Sequence, residues 1–78
     1  MYYVYILKMA NGLYYHGYTN DLKRRIQQHE HGETITTSKY LPIKLVCYLA
    51  FTSENKAKEF EEYLKGGSGY AFRNRHLL

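Results

Sequence analysis

Two short, tyrosine-rich segments, residues 2–9 and 13–18, flank the tripeptide Ala10-Asn11-Gly12. Tyrosine, valine and isoleucine favour a pleated, half-buried surface, and Asn-Gly favours the left-handed geometry of a tight turn, so the pair reads as a β-hairpin. Both strands carry apolar side chains at successive positions, which implies cover on both faces. Thr19-Asn20-Asp21 then supplies N-cap candidates and an acidic first turn for a helix running to about Glu30 and stopping near Gly32. From His31 to Pro42 the chain is polar and without a period, which predicts a loop. Ile43, Leu45, Cys47, Leu49 and Phe51 alternate and predict a third strand with those five residues on one face.

Ser53 caps a second helix, Glu54 to Lys65, which Gly66-Gly67-Ser68-Gly69 ends. A short closing helix, Tyr70 to His76, carries Arg73, Arg75 and His76. The order ββαβαα predicts an α+β fold, a small three-stranded antiparallel sheet flanked by helices. Seventy-eight residues suit one domain, residues 1–78. A domain of that size buries only about 60–65% of its unfolded surface, so its core is thin.

Eleven Lys/Arg against seven Asp/Glu give a net charge of +4, which favours a polyanionic partner without identifying one. The single cysteine, Cys47, has no internal disulfide partner and lies in an apolar run, which points to a buried thiol and a reducing compartment. No basic leader with a cleavage site and no run of membrane-spanning length is seen, so a cytoplasmic location and no membrane partner are expected.

On the first helix, at about 100° per residue, Leu22, Ile26 and His29 share one stripe and Arg25 stands on its edge, while Lys23 and Arg24 point elsewhere. A guanidinium at the rim of a buried stripe wants an anion, either a carboxylate or a phosphate. On the second helix Glu61 falls within the apolar stripe of Ala57, Phe60 and Leu64, whereas Glu59 and Glu62 face solvent. An inward carboxylate is costly unless paired or coordinating a cation. Two accounts stand: an ion pair with Arg25, or a Mg²⁺ site completed by waters and a substrate phosphate. Helix termination explains the glycine run without a phosphate-binding role, and His16, His29, His31 and Cys47 lack structural-zinc spacing. Lys8, Lys23, Arg24, Lys39 and Lys44 are candidates for backbone contacts to a nucleic acid, or ordinary surface charge.

Taken together these residues resemble the GIY-YIG endonucleases, especially small stand-alone bacterial members related to the N-terminal nuclease domain of the excision-repair system. Tyr3-Val4-Tyr5 stands where that family has Gly-Ile-Tyr, and Tyr15-His16-Gly17 stands where it has Tyr-Ile-Gly, ten residues on. Arg25 matches the family's essential helix arginine, His29 a histidine of many members, and Glu61 the metal-binding glutamate. Tyr3 and His16 depart from the pattern without removing a functional group; Asn74 is a looser match to an asparagine of some members. The resemblance implies a metal-dependent endonuclease with one divalent cation, Mg²⁺ or Mn²⁺, and a role in DNA repair. It also implies a nucleic-acid partner, DNA in preference to RNA.

Implied roles are Glu61 holding the metal, Arg25 neutralising the scissile phosphate, Tyr5 as general base, Tyr15 orienting water or phosphate, and His29 sharing the proton traffic or holding a motif tyrosine. A phenol needs a cationic neighbour to act as a base at neutral pH. Gly17, Lys23 and Arg24 are expected to touch nucleic acid. The alternative is a non-catalytic nucleic-acid-binding module, or a nuclease remnant needing a protein partner; such a partner would also supply substrate choice.

The resemblance bears on the hairpin register. A two-residue turn at Asn11-Gly12 puts Tyr5 and Tyr15 on opposite faces. A three-residue loop with Gly12 left-handed sets Tyr5 opposite Gly17 and Tyr15 opposite Leu7, all on one face, and only this register lets both tyrosines meet one phosphate. Gly17 would then leave the space beside Tyr5 open for substrate or water, or merely relieve strand crowding.

Overall fold

The computed structural model describes residues 1–78. Its elements are β1 (Tyr2–Lys8), β2 (Tyr14–Thr19), α1 (Leu22–Glu30), α2 (Ile35–Ser38), β3 (Lys44–Phe51), α3 (Glu54–Lys65), α4 (Gly67–Phe72) and a closing π-helical turn, Arg73–Leu77. The three strands are antiparallel in the order β2-β1-β3, so the first strand is central and β2 and β3 are free edges. This is the α+β architecture expected from the sequence, with α2 inserted.

The hairpin takes the three-residue register. Tyr5 pairs with Gly17 and Leu7 with Tyr15. The turn closes through Gly12 N–H donating to the Met9 carbonyl at 2.9 Å and Met9 N–H donating to the Leu13 carbonyl at 2.8 Å. Gly12 sits at φ 85°, a left-handed value that a side chain would strain.

Strand alternation then divides the side chains between two faces. Val4 and Ile6 face α3 and pack with its Ala57 and Leu64 as the fully buried core, ringed by Tyr14, Tyr18, Phe51, Phe60 and Phe72. The opposite face, with Tyr5 and Leu7, lies against α1. Helix α1 begins at Asp21, whose carboxylate accepts from Arg24 N–H at 3.2 Å, and α3 begins at Ser53, whose hydroxyl accepts from Lys56 N–H. Asp21 is therefore the cap, and the first turn of α1 holds no acidic residue.

Three local expectations are corrected. The predicted loop 31–42 contains the one-turn helix α2, which brings Thr37 into the interior. In β3 the register shifts between the partners of Ile6 and Leu7, so that Cys47 pairs with Ile6 and Leu45 with Leu7, leaving Val46 as an extra residue. Such a bulge reverses the alternation. Val46, Cys47 and Phe51 pack on the α3 side, while Leu45 lines the α1 side with Tyr3 and Tyr48. Finally, the glycine run does end α3, but α4 restarts at once at Gly67, earlier than Tyr70. Gly69 lies so close to the Tyr63 carbonyl that no Cβ fits, which explains a glycine inside a helix. No helix is long and apolar enough to cross a membrane.

Candidate active site

The α1 face of the sheet holds a buried polar chain centred on Tyr5. Its side chain is 1% exposed and its ring lies over Gly17, where an added Cβ would meet the Tyr5 hydroxyl oxygen. Gly17 thus makes room for Tyr5 itself. Gly17 is itself buried, which agrees with the account in which the glycine relieves crowding between the strands.

Arg25 Nε donates to the Tyr5 hydroxyl at 3.4 Å, and its Nη1 donates to Gln28 Oε1 at 3.1 Å. The Tyr5 hydroxyl lies 2.9 Å from His29 Nε2, and His29 Nδ1 lies 2.7 Å from Thr37 Oγ1. Donor directions follow from the available protons. With Arg25 donating into the phenolic oxygen, the phenol proton goes to Nε2, and Nδ1–H donates to Thr37. His29 is fully buried and both its ring nitrogens are satisfied, so it holds a motif tyrosine. Tyr15, one strand over, sets its ring 6.3 Å from Tyr5 and 5.1 Å from His29. Tyr5, Tyr15, Arg25 and His29 are therefore brought together.

Burial pushes the Tyr5 phenol above its ordinary range, and the hydrogen bond from Arg25 pulls it down by less. The cationic neighbour expected for a general base is present, yet desolvation wins. In this arrangement the phenol hydrogen-bonds His29 and anchors Arg25. Burial, then the charge of Arg25, hold His29 below the usual histidine range. Burial and the nearby Arg73 do the same for His16, against a smaller opposing effect of Glu61.

The folded chain thus refuses protons that the unfolded chain takes up near pH 6.5, so acid favours unfolding. The stability that the neutral imidazoles represent is complete above about pH 6.5 and erodes as pH falls below it. The melting temperature should drop between about pH 7.5 and about pH 5.5. A flat profile over that interval would contradict buried neutral histidines at these two positions.

Glu61 approaches from the other side of the sheet, on α3, which crosses β1 and β2. Its carboxylate acts electrostatically on both Tyr5 and His16, which places it at the β2 edge. Of the two partners the sequence suggested, Arg25 is not one, being engaged by Tyr5 and Gln28. The cation found there is Lys65, one turn on, whose Nζ lies 3.1 Å from Oε1 and 2.9 Å from Oε2. Only Oε1 receives a well-directed hydrogen bond; Oε2 is buried without one. The Glu61 side chain is 14% exposed.

No group of three or more His, Cys, Asp or Glu side chains is arranged to hold a metal ion. A protein cage is therefore absent, but the donor set fits Mg²⁺ or Mn²⁺. Such ions are commonly held by one or two carboxylates, with water and phosphate completing the shell, and the buried Oε2, which has the Lys65 ammonium beside it but no well-directed hydrogen bond, is the position such a cation would take.

Arg24 borders a polar cleft of ≈ 270 Å³ together with Arg25, Gln28 and Thr19. Lys23 does not: it lines a separate groove on the far side of α1 with Tyr3 and Tyr48. Lys23 and Arg24 thus diverge by about 100°, as adjacent helical residues do. Asn74 accepts from Arg73 Nε at 3.1 Å and Nη2 at 2.9 Å. The half-buried Cys47 thiol is pushed up by burial, as an inert packing residue should be.

Sequence reasoning missed Thr37 and Lys65. Lys65 was within reach of it, since a lysine four residues after an inward glutamate is a standard helical pair. Thr37 had no such signal, for it lies in an aperiodic stretch outside the helix that carries its partner.

Known proteins supply an independent frame. The family model described as the GIY-YIG catalytic domain matches residues 1–74. A UPF0213 protein of Streptococcus pneumoniae is 39% identical over 64 residues, covering 81% of this chain and 65% of its own length. A UPF0213 protein of Lacticaseibacillus paracasei is 35% identical over 65 residues, covering 82% of this chain and 73% of that protein. The chain thus spans just under two thirds of the first of these relatives. The solution NMR structure of UPF0213 protein BH0048 from Bacillus halodurans is similar with a TM-score of 0.60 and 37% identity, over 95% of this chain and 81% of that one.

Proposed function

Since the chain belongs to the GIY-YIG family, we propose that it is a metal-dependent endonuclease hydrolysing phosphodiester bonds of nucleic acid, DNA in preference to RNA. The observation that carries this reading is the pairing of two unlike half-sites at the β2 edge. On one face Tyr15 and Arg25 stand together over the Tyr5–His29 anchor. On the other, Glu61 keeps one buried oxygen without a hydrogen bond.

A scissile phosphate set between them would be met by the Arg25 guanidinium, already aimed by Tyr5, and by the Tyr15 hydroxyl, which orients the phosphate or the attacking water. Aiming matters because a fixed donor loses little freedom when charge develops on the phosphate oxygens. Glu61 would hold the divalent cation, whose chemistry there would be Lewis-acid stabilisation of the departing oxygen. Tyr5 and His29 act through Arg25 and are positioning residues. Arg24, on the same cleft, adds a sequence-independent phosphate contact.

Nicking of supercoiled plasmid tests the reading. Conversion to open circle with Mg²⁺ or Mn²⁺, and none in EDTA, is expected. Plasmid bound but never nicked with either metal would overturn it in favour of a binding-only module. The Lys65 ammonium already seated on Glu61 is the one feature that favours that second reading, because a cation must displace it.

A further inference from the structure

Cleavage at the β2 edge leaves unused a cluster at the hairpin end of the sheet. There Lys8 of β1 and Lys44 of β3 stand directly opposite one another, both exposed. Like charges at facing positions destabilise a sheet. Neither finds an acid: the ion pairs of the protein are His31–Glu33, Lys56–Glu59 and Lys65–Glu61. Lys8 Nζ lies 6.0 Å from the Tyr14 ring centre, and the Arg73 guanidinium lies 5.2 Å from the same ring. Arg73 then stacks on Tyr70 at 4.4 Å.

Arg73 is 7% exposed and also has no carboxylate partner. Its N–H groups are held by Asn74 Oδ1 and by His16 Nε2, the latter at 3.3 Å. A buried charge compensated only by neutral acceptors and aromatic faces leaves a positive field over the groove of ≈ 640 Å³ that Tyr14, Tyr70, Arg73 and Asn74 line. The Tyr70 ring is 53% exposed, so its outer face is free while its inner face is fixed on the guanidinium.

We propose that Lys44, Lys8, Tyr14, Arg73 and Tyr70 form a docking track for an unpaired DNA strand, with Tyr70 as the base-stacking platform and the two lysines following the phosphates. The inference rests on nucleic acid being the substrate and adds its form. Alternating cations and aromatic faces suit a single strand, because only unstacked bases present a free π-face to a tyrosine. The track also leads to the proposed site. Tyr14 and Tyr15 are neighbours on the free edge strand, so a strand wrapping that edge passes from the Tyr70 platform to Arg25.

The test is fluorescence-anisotropy binding of a labelled oligothymidine, about twelve nucleotides long, to the full chain in EDTA, at a series of salt concentrations. Expected results are a roughly tenfold or greater loss of affinity in Tyr70→Ala and little change in Tyr70→Phe, which keeps the ring. Tyr48→Ala, which removes an exposed tyrosine from the other edge strand, should bind as wild type. In a Lys8→Ala/Lys44→Ala double variant, both positions exposed and thus safe for folding, the slope of log affinity against log salt should flatten by about 1.4, at about 0.7 per phosphate contact.

Unchanged affinity in Tyr70→Ala together with an unchanged slope in the lysine variant would overturn the track and leave the stack as a helix anchor only. Wild-type plasmid nicking, scored alongside, keeps the two readings apart. Nicking with unchanged oligonucleotide binding in these variants refutes the track alone, whereas neither nicking nor binding by the wild type refutes both.

Discussion

Glu61→Gln should fold like the wild type and lose metal-dependent nicking by roughly a thousandfold or more. The stability half of this expectation comes from the partner the structure provides. Lys65, 54% exposed and four residues along the same helix, is a surface cation, and such pairs contribute only a few tenths of a kcal/mol. Had Arg25 been the counter-ion, removing the carboxylate would have left a desolvated guanidinium and cost about 3–5 kcal/mol. Arg25 instead keeps its bonds to Tyr5 and Gln28.

The chemical half follows from the buried Oε2 atom, which receives no well-directed hydrogen bond and has only the displaceable Lys65 ammonium beside it. An amide at that position is a poor ligand for a hard cation. Oligonucleotide binding should be equal or slightly tighter, one negative charge having left the phosphate site. Lys65→Ala should act in the opposite sense, lowering the Mg²⁺ concentration needed for half-maximal nicking. A folded Glu61→Gln protein that nicks at the wild-type rate removes Glu61 from the metal site.

Gly17→Ala should be among the most damaging single-methyl changes in the chain. The new Cβ would stand 2.5 Å from Tyr5 Cζ and closer still to the hydroxyl oxygen, and the ring has little room to move, since its hydroxyl is pinned by buried His29 and half-buried Arg25. Overpacking of this kind costs about 1–3 kcal/mol. For a domain of this size that is a fall in melting temperature of roughly 5–20 °C.

Nicking should fall with it, because a displaced Tyr5 no longer aims Arg25. Tyr5→Phe separates the two effects: the ring stays over Gly17, the fold loses only the hydroxyl contacts, and the guanidinium loses its acceptor. Equal melting of Gly17→Ala and wild type, with equal nicking, would mean that the Tyr5 ring does not occupy the space over Gly17.

Local physics was legible in the sequence wherever it acts over a few residues. The order of strands and helices, the caps at Asp21 and Ser53, and the left-handed Gly12 all depend on short-range periodicity and backbone preference. Composition left the hairpin register open; the shared face of Tyr5 and Tyr15 followed once the family resemblance selected the three-residue loop, because alternation is strict from a known turn. The inward position of Glu61 was readable from the helical repeat alone.

What fills the space around those residues was not. Whether Gly17 opens a site or seats a ring depends on the rotamer of a residue in another strand. The choice among Arg25, a metal and Lys65 for Glu61 depends on which side of the sheet each helix covers. The bulge at Val46 and the burial of Thr37 on His29 had no sequence period to announce them. Arg73 finds His16 across 57 residues of chain. Side-chain hydrogen bonds and desolvation act over a few ångströms in space without regard to chain separation. The sequence by itself therefore determined the order of the main elements, the caps of the long helices and the faces of the regular stretches, and the tertiary packing decided the β3 bulge, the α2 turn and what each side chain meets.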